Sequence, residues 1–154
     1  MLTDQEKIEI DEEAKAYPYP KAVCVDALKI VQKHHGWVSD QSILDIAGFL
    51  KMSADEVDGV ATFYSRIYRQ PVGRHVILIC DGMSCFIMGY GTLYEFLSEK
   101  LGIEFEGTTS DGRFTLLPVS CLGDCDQAPS MMINNELYNL LTKEKIDGLL
   151  EKYK

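Results

Sequence analysis

The sequence has no run approaching the roughly 20 consecutive apolar residues that a bilayer-spanning helix needs, so direct membrane insertion is not expected. Its opening, Met1 to Ile10, lacks both a basic segment and an apolar core, the marks of a secretory signal. A cytoplasmic setting is therefore expected. Positive charge is scarce: 15 Lys and Arg stand against 24 Asp and Glu, for a net charge of -9. That balance argues against nucleic acid as a partner, because phosphate backbones need a positive field. Also missing are a nucleophile–base pair, a phosphate-binding glycine loop and a dinucleotide fingerprint. Gly89-Tyr90-Gly91 has no third glycine and does not directly follow a strand. No catalytic residue is assigned, and binding of NADH or flavin by this chain alone is not expected. What is present suffices for folding. With 154 residues, 46% hydrophobic and 25% charged, the chain can bury a core without disulfides. Its five cysteines, in a reducing compartment, point to metal ligation or catalysis instead.

Two halves read differently. Residues 1–70 carry helical periodicity and residues 71–154 alternate strand and helix, with a boundary near Pro71-Val72-Gly73. The fold class expected is α+β, a small N-terminal helical bundle followed by an α/β domain. A first helix over residues 3–16 has acids at Asp4, Glu6, Glu9, Asp11, Glu12 and Glu13 but a thin apolar stripe, so loose packing is expected. Tyr17-Pro18-Tyr19-Pro20 breaks it. Cys24, Ala27, Leu28 and Val31 share one face of a second helix, ended by His34-His35-Gly36. Ile43, Ile46, Ala47 and Leu50 repeat the spacing behind an N-cap at Ser39 or Asp40. Ser53 and Glu56 make a capping box for a fourth helix running toward Tyr64.

In the second half, His75-Val-Ile-Leu-Ile-Cys80 is the continuous apolar run of a strand covered on both faces. Tyr90, Leu93, Tyr94, Leu97 and Leu101 mark a helix. Strands are predicted over residues 114–119 and 131–134, with Asn134-Asn135 turning the chain back into residues 136–140. Thr142 caps a last helix with Ile146, Leu149, Leu150 and Tyr153 on its face. The result is helices on a small mixed sheet.

Four cysteines fall in two pairs, Cys80-Asp-Gly-Met-Ser-Cys85 and Cys121-Leu-Gly-Asp-Cys125, each directly after a predicted strand. Two loops leaving neighbouring strands at one end of a sheet can meet, and four thiolates there would form one ligand set. The spacing leaves several readings open. A 2Fe–2S cluster takes four Cys thiolates in unequal loops, and a structural zinc site also uses four Cys. A thioredoxin-type redox pair would want Cys-x-x-Cys, which neither loop has. Gly82, Gly89 and Gly123 allow backbone N–H groups near sulfur. Phe86, Ile87, Met88, Leu117 and Leu122 are expected to wall the site from water, and Pro129 to fix the exit of the second loop. Asp81, Asp124 and Asp126 flank the cysteines and should lower a cluster's reduction potential.

Gly59-Val-Ala-Thr-Phe-Tyr64, Gln70-Pro-Val-Gly-Arg-His75, Cys80-x4-Cys85 and Cys121-Leu-Gly-Asp-Cys125-x3-Pro129 occur in that order. Together they resemble the thioredoxin-like 2Fe–2S subunit, lettered E, of bacterial NADH:quinone oxidoreductase, respiratory complex I. The resemblance runs from about residue 8 to Lys154. It implies an N-terminal helical domain over 1–70 and a thioredoxin-like 2Fe–2S ferredoxin domain over 71–154. It implies a 2Fe–2S cluster on Cys80, Cys85, Cys121 and Cys125, exchanging single electrons with a flavin. The implied partners are the flavin- and NADH-binding subunit, lettered F, which carries FMN and NADH, and other peripheral-arm subunits at the cytoplasmic face of the inner membrane. Similar chains occur in NAD-linked hydrogenases and formate dehydrogenases, which stand as the alternative, with a zinc-stabilised interaction module as a second.

The remaining residues have plainer readings. Cys24 lies on an apolar helical stripe and is expected to be a buried, inert thiol. His34 and His35 suit a helix C-terminus, and Trp37 should plug the gap between the second and third helices. Arg66, Arg69 and Arg74 sit among Phe63, Tyr64 and Tyr68 with no acid between Asp58 and Asp81. Taken as a patch they are expected to dock on an acidic partner surface.

Overall fold

In a computed structural model, residues 1–153 are described; Lys154, the last residue of the expected second domain, lies outside them. The chain divides into two compact units, Met1–Pro71 and a second beginning at Val72.

The first unit is built from α1 (Asp4–Ala14), α2 (Cys24–His35), α3 (Asp40–Leu50) and α4 (Ala54–Phe63), with a single 3₁₀ turn at Pro20–Val23 leading into α2. Local chemistry sets each start. Thr3 and Glu6 form a capping box on α1, Ser39 accepts from the Ser42 N–H on α3, and Ser53 and Glu56 form a second capping box on α4. Gly36 ends α2 at φ 83°, in the left-handed region where a side chain would be strained. The expected faces of α2 and α3 are buried, Cys24, Ala27, Leu28 and Val31 with Ile43, Ile46, Ala47 and Leu50.

Two expectations for this unit need correction. α1 is not loosely packed: Ile10 is fully buried and Leu2 joins the same core. Polar contacts reinforce it, with Glu6 bonded to His35 at 2.8 Å and Glu9 to His34 at 3.0 Å and Lys33 at 3.3 Å. The few apolar positions of α1 suffice because the neighbouring helices supply the rest. Trp37 does not fill its gap. It is half-buried and lines a cavity of about 290 Å³ with Leu2, Glu6, Val31 and Ser42.

The second unit is a four-stranded mixed sheet in the order β2-β1-β3-β4. Its strands are β1 (His75–Cys80), β2 (Phe114–Val119), β3 (Met131–Ile133) and β4 (Glu136–Tyr138). β1 runs parallel to β2 and antiparallel to β3. The first cysteine loop holds a five-residue helix that was not expected, α5 (Met83–Ile87). Ile77, Ile79, Phe114, Leu116, Met131 and Ile133 form one core with Leu93 and Leu97 of α6 (Tyr90–Leu101) and Ile146 and Leu150 of α7 (Lys143–Lys152). β1 lies inside the sheet, which is why its run of apolar residues is uninterrupted. The hairpin turns at Asn134, φ 56°, so β3 stops one residue short of the expected end. β4 stops at Tyr138, since Leu140 takes φ 44° and sends its N–H to Gln127. Among the described residues no helix is long and apolar enough to cross a membrane.

Candidate metal centre

The centre starts from strand register. Cys80 pairs with Val119 at the ends of parallel β1 and β2, so the chain leaves both strands at the same edge of the sheet. The first loop turns at Gly82 into α5, and Cys85 sits in that helix with its side chain inward, 2% exposed. Cys80 is 3% exposed and packs with Cys85, Ala128, Tyr90, Val119 and Leu122. The second loop carries Cys121 and Cys125, both exposed, with Cys125 opening a 3₁₀ turn that ends at Gln127. Leu140 and Leu141 donate backbone hydrogen bonds to Gln127 and Pro129, tying the loop's exit to the segment after β4.

The thiols fall into two pairs that face one another. Cys121 and Cys125 are 3.7 Å apart at sulfur, Cys80 is in contact with Cys85, and the charge of Cys85 acts on Cys125. Among the described residues, no three His, Cys, Asp or Glu side chains gather closely enough to hold one lone ion. Burial pushes the Cys80 thiol above its ordinary value, the Cys85 thiol adds to the rise, and backbone N–H groups of Gly82 and Leu122 pull against it. The Cys125 thiol is raised mainly by Cys121 beside it, with the Ser84 hydroxyl opposing. Such thiols hold their protons until a cation arrives to favour the thiolate.

Backbone donors line the same space. The Gly123 N–H, at φ 79°, donates to Cys121 sulfur at 3.3 Å. A side chain at Gly82 would place its Cβ 2.6 Å from the Ser120 carbonyl oxygen and 3.4 Å from Cys80 sulfur. The two loops therefore approach too closely there for anything but glycine. Four thiols in two facing pairs, served by N–H donors and pressed together at a glycine, fit the donor set of a binuclear iron–sulfur cluster.

Of the residues flagged from sequence, the structure pairs Cys80 with Cys85 and Cys121 with Cys125. Cys24 lies in the first unit, buried among Ala27 and Leu28, with its thiol pushed up by burial. His75 is at the far end of β1 from Cys80, bonded to the Asn134 amide at 3.0 Å and packed on Tyr153. The expected apolar wall is only half right. Leu122 packs on the cysteines, but Phe86, Ile87 and Met88 are 65%, 72% and 58% exposed, because α5 turns Cys85 inward and these side chains outward. Asp81 and Asp126 are exposed, whereas Asp124 is half-buried.

The arginine patch is also redrawn. Arg69 is engaged within the first unit, donating to Asp58 at 2.9 Å, to Asp40 at 2.7 Å and to the Val38 carbonyl. Gln32 clamps the same segment through the Arg66 carbonyl and the Tyr68 N–H. Phe63, Tyr64, Arg66 and Arg74 are exposed, while Tyr68 and Arg69 are half-buried. One hydroxyl escaped the sequence reading. Buried Ser130 lies 3.7 Å from Cys85 sulfur, and nothing local in the sequence marks it.

Comparison with known proteins agrees with this geometry. The thioredoxin-like [2Fe-2S] ferredoxin family matches residues 10–154. The NADH-quinone oxidoreductase subunit lettered E of Escherichia coli (strain K12) is 52% identical over 153 residues, 99% of this chain and 92% of its own length. The protein of that name in Buchnera aphidicola of Acyrthosiphon pisum is 50% identical, covering 99% of this chain and 94% of its own. The one in Pseudomonas aeruginosa is 47% identical, with 99% and 92% covered. Among solved structures, a NAD+-reducing [NiFe]-hydrogenase in the H2-reduced state superposes with a TM-score of 0.69 and 25% identity, over 82% of this chain and 22% of that one.

Proposed function

The chain belongs to the thioredoxin-like [2Fe-2S] ferredoxin family, and on that premise we propose that it is the electron-carrying 2Fe–2S subunit of an NADH:quinone oxidoreductase. Cys80, Cys85, Cys121 and Cys125 are its cluster ligands. The observation that carries this reading is the meeting of two thiol pairs at the shared edge of β1 and β2. When bound, the cluster supplies one-electron exchange. The chain's own residues hold it: two buried and two exposed thiols bind iron, N–H groups of Gly82, Leu122 and Gly123 offset sulfur charge, and Tyr90 and Leu122 keep water from the buried pair.

The partner in this reading is the flavin- and NADH-binding subunit, where hydride chemistry takes place, within the peripheral arm at the cytoplasmic face of the inner membrane. Residues 1–70 make up the N-terminal helical domain and 71–154 the thioredoxin-like 2Fe–2S domain. Names of the relatives at about half identity over nearly full length favour complex I. A role within an NAD-linked hydrogenase is the second reading, favoured by the structural likeness to the [NiFe]-hydrogenase.

The test is the purified chain. It should carry two irons and two acid-labile sulfides, absorb in the visible, bleach with dithionite and give a rhombic electron spin resonance signal when reduced. Serine at any of the four cysteines should abolish or alter that spectrum, and Cys24→Ala should leave it intact. A colourless protein with a single zinc would overturn the reading. Co-purification with a flavoprotein that reduces quinone, against one with a nickel–iron partner, separates the two parent complexes.

A further inference from the structure

Among the described residues of the second unit, two polar side chains are buried, Thr115 and Ser130, each 2% exposed. Thr115 serves the fold. Its hydroxyl accepts from the Gly73 N–H at 2.7 Å and bonds to the Thr108 hydroxyl at 2.7 Å. Ser130 stands instead at the cysteines. It directly precedes β3, and its carbonyl accepts the Cys80 N–H at 3.2 Å, one step along the ladder from the Ile79 and Met131 pair. Its hydroxyl lies 3.7 Å from the sulfur of Cys85, itself 2% exposed. One residue therefore touches both cysteines of the first loop, Cys80 through its main chain and Cys85 through its side chain. A hydroxyl withdrawn from water costs free energy unless it is hydrogen-bonded, and the partner at hand here is sulfur.

We propose that Ser130 is a positioning residue of the centre: its carbonyl pins Cys80, and its hydroxyl donates to the sulfur of Cys85, orienting the buried thiol pair and raising the reduction potential of the cluster that the pair helps to hold. The inference rests on the cluster reading above and deepens it. Between a free thiol and a hydroxyl either group can donate. A thiolate bound to iron can only accept, so the hydroxyl is then the donor. Such a donor favours the state with more charge on sulfur, which is the reduced one. The hydroxyl proton stays on oxygen, and only an electron is exchanged. The two contacts also separate cleanly. The carbonyl survives any side-chain substitution, so changing Ser130 removes the donor to Cys85 while the main-chain hold on Cys80 remains.

The experiment uses the full chain loaded with its cluster, comparing wild type with Ser130→Ala, Ser130→Thr and Ser130→Val. Threonine and valine share a shape and differ in the hydroxyl, so that pair isolates the donor from its bulk. The readouts are iron content, midpoint potential, and the frequency of the iron–cysteine sulfur stretch by resonance Raman. Ser130→Ala should hold two irons, and at the wild-type midpoint it should contain roughly twofold to fivefold more oxidised than reduced cluster. An iron–sulfur stretch should rise in frequency as its bond loses the hydrogen-bond partner. Ser130→Thr should fall on the wild-type side in both readouts and Ser130→Val on the alanine side. If Ser130→Ala fails to load, loading by Ser130→Thr and not by Ser130→Val supports the proposal. Threonine and valine chains that behave alike, loaded or empty, overturn it, as does the reverse order. A loaded Ser130→Ala chain with the wild-type midpoint and spectrum also overturns it and leaves the cluster reading intact. A wild-type chain that never holds two irons sinks the cluster reading itself.

Discussion

Cys80 and Val119 are neighbours across β1 and β2, the last residues of two parallel strands. Parallel pairing is what makes the centre possible. Antiparallel strands would send the two loops to opposite edges, whereas here both emerge at one. β1 also has a strand on either side of it, so the first thiol is anchored in the best-packed part of the unit while the second loop hangs from a neighbour. The result is unequal exposure, with Cys80 and Cys85 buried and Cys121 and Cys125 facing outward.

Gly82 is where the loops press hardest. A Cβ there would meet the Ser120 carbonyl oxygen at 2.6 Å, and backbone cannot rotate aside as a side chain can. Gly82→Ala should push the second loop away, lowering stability by about 1–3 kcal/mol and cluster occupancy with it. Iron per chain and the midpoint of urea unfolding measure the two effects. Full loading with unchanged stability would show that the loops are not held at this point.

Asp124 stands apart from the other flanking acids. Its Oδ2 is buried with no hydrogen-bond partner among the described residues, while Asp81 and Asp126 are exposed. Water screens the exposed pair more fully. Asp124→Asn should therefore raise the midpoint potential, on the order of tens of millivolts, and more than Asp81→Asn or Asp126→Asn. Spectroelectrochemical titration of the three chains makes the comparison, and equal shifts would mean that burial does not matter.

Much of this was legible because period and punctuation agree. The apolar run His75–Cys80, the two faces on α2 and α3, and the capping box at Ser53 are signals carried by neighbours in sequence. α5 was invisible for the opposite reason: five residues make too little of a turn to show a period, so Phe86, Ile87 and Met88 read as part of a wall. Arg69 misled because its partners Asp58, Asp40 and Val38 lie 11, 29 and 31 residues away. Ser130 reaches Cys85 across 45 residues. A sequence announces the thiols, whose pairs are compact, but not the Ser130 hydroxyl that reaches Cys85.

Arg69 now predicts stability more than docking. Its guanidinium bridges two carboxylates and a carbonyl at one-fifth exposure, a fork that a point charge cannot reproduce. Arg69→Ala should cost about 2 kcal/mol, and Arg69→Lys should recover only part. Urea unfolding followed by helical circular dichroism measures both. If the loss appears in partner binding with stability unchanged, the arginine is a docking residue after all.

Acid should weaken the helical unit through α1. Burial pushes the Glu6 carboxyl up, but hydrogen bonds from Thr3 and from His35 outweigh it and hold the group below its usual range. Glu9 is lowered to about 2 by Gln5, His34 and Lys33. Both are depressed in the folded chain, so their support is complete above the unfolded carboxylate value of about 4.3. It is lost as the pH falls toward the folded values. Thr3→Ala should cost about 1 kcal/mol at neutral pH and move acid unfolding to higher pH. Coincident acid transitions in the two chains would show that the capping box has no part in it.

The outward side of α5 makes the sharpest statement about the partner. Met83, Phe86, Ile87 and Met88 are all more than half exposed, and they lie on the loop that carries Cys85. Apolar side chains grouped this way are costly to leave in water. In the proposed role the centre would exchange electrons with a flavin on a partner, and the surface around the cysteine loops is then the one that partner would cover. Residues flanking that mouth are then the ones dried by docking. Phe86→Ser with Ile87→Ser should weaken association with the flavin-binding partner roughly 10- to 100-fold. Iron content should be unchanged, because neither side chain packs on the cysteines. Titration of the loaded chain against that partner measures it. Unchanged affinity would move the docking surface elsewhere, with the exposed Phe63 and Tyr64 of the first unit the next place to look.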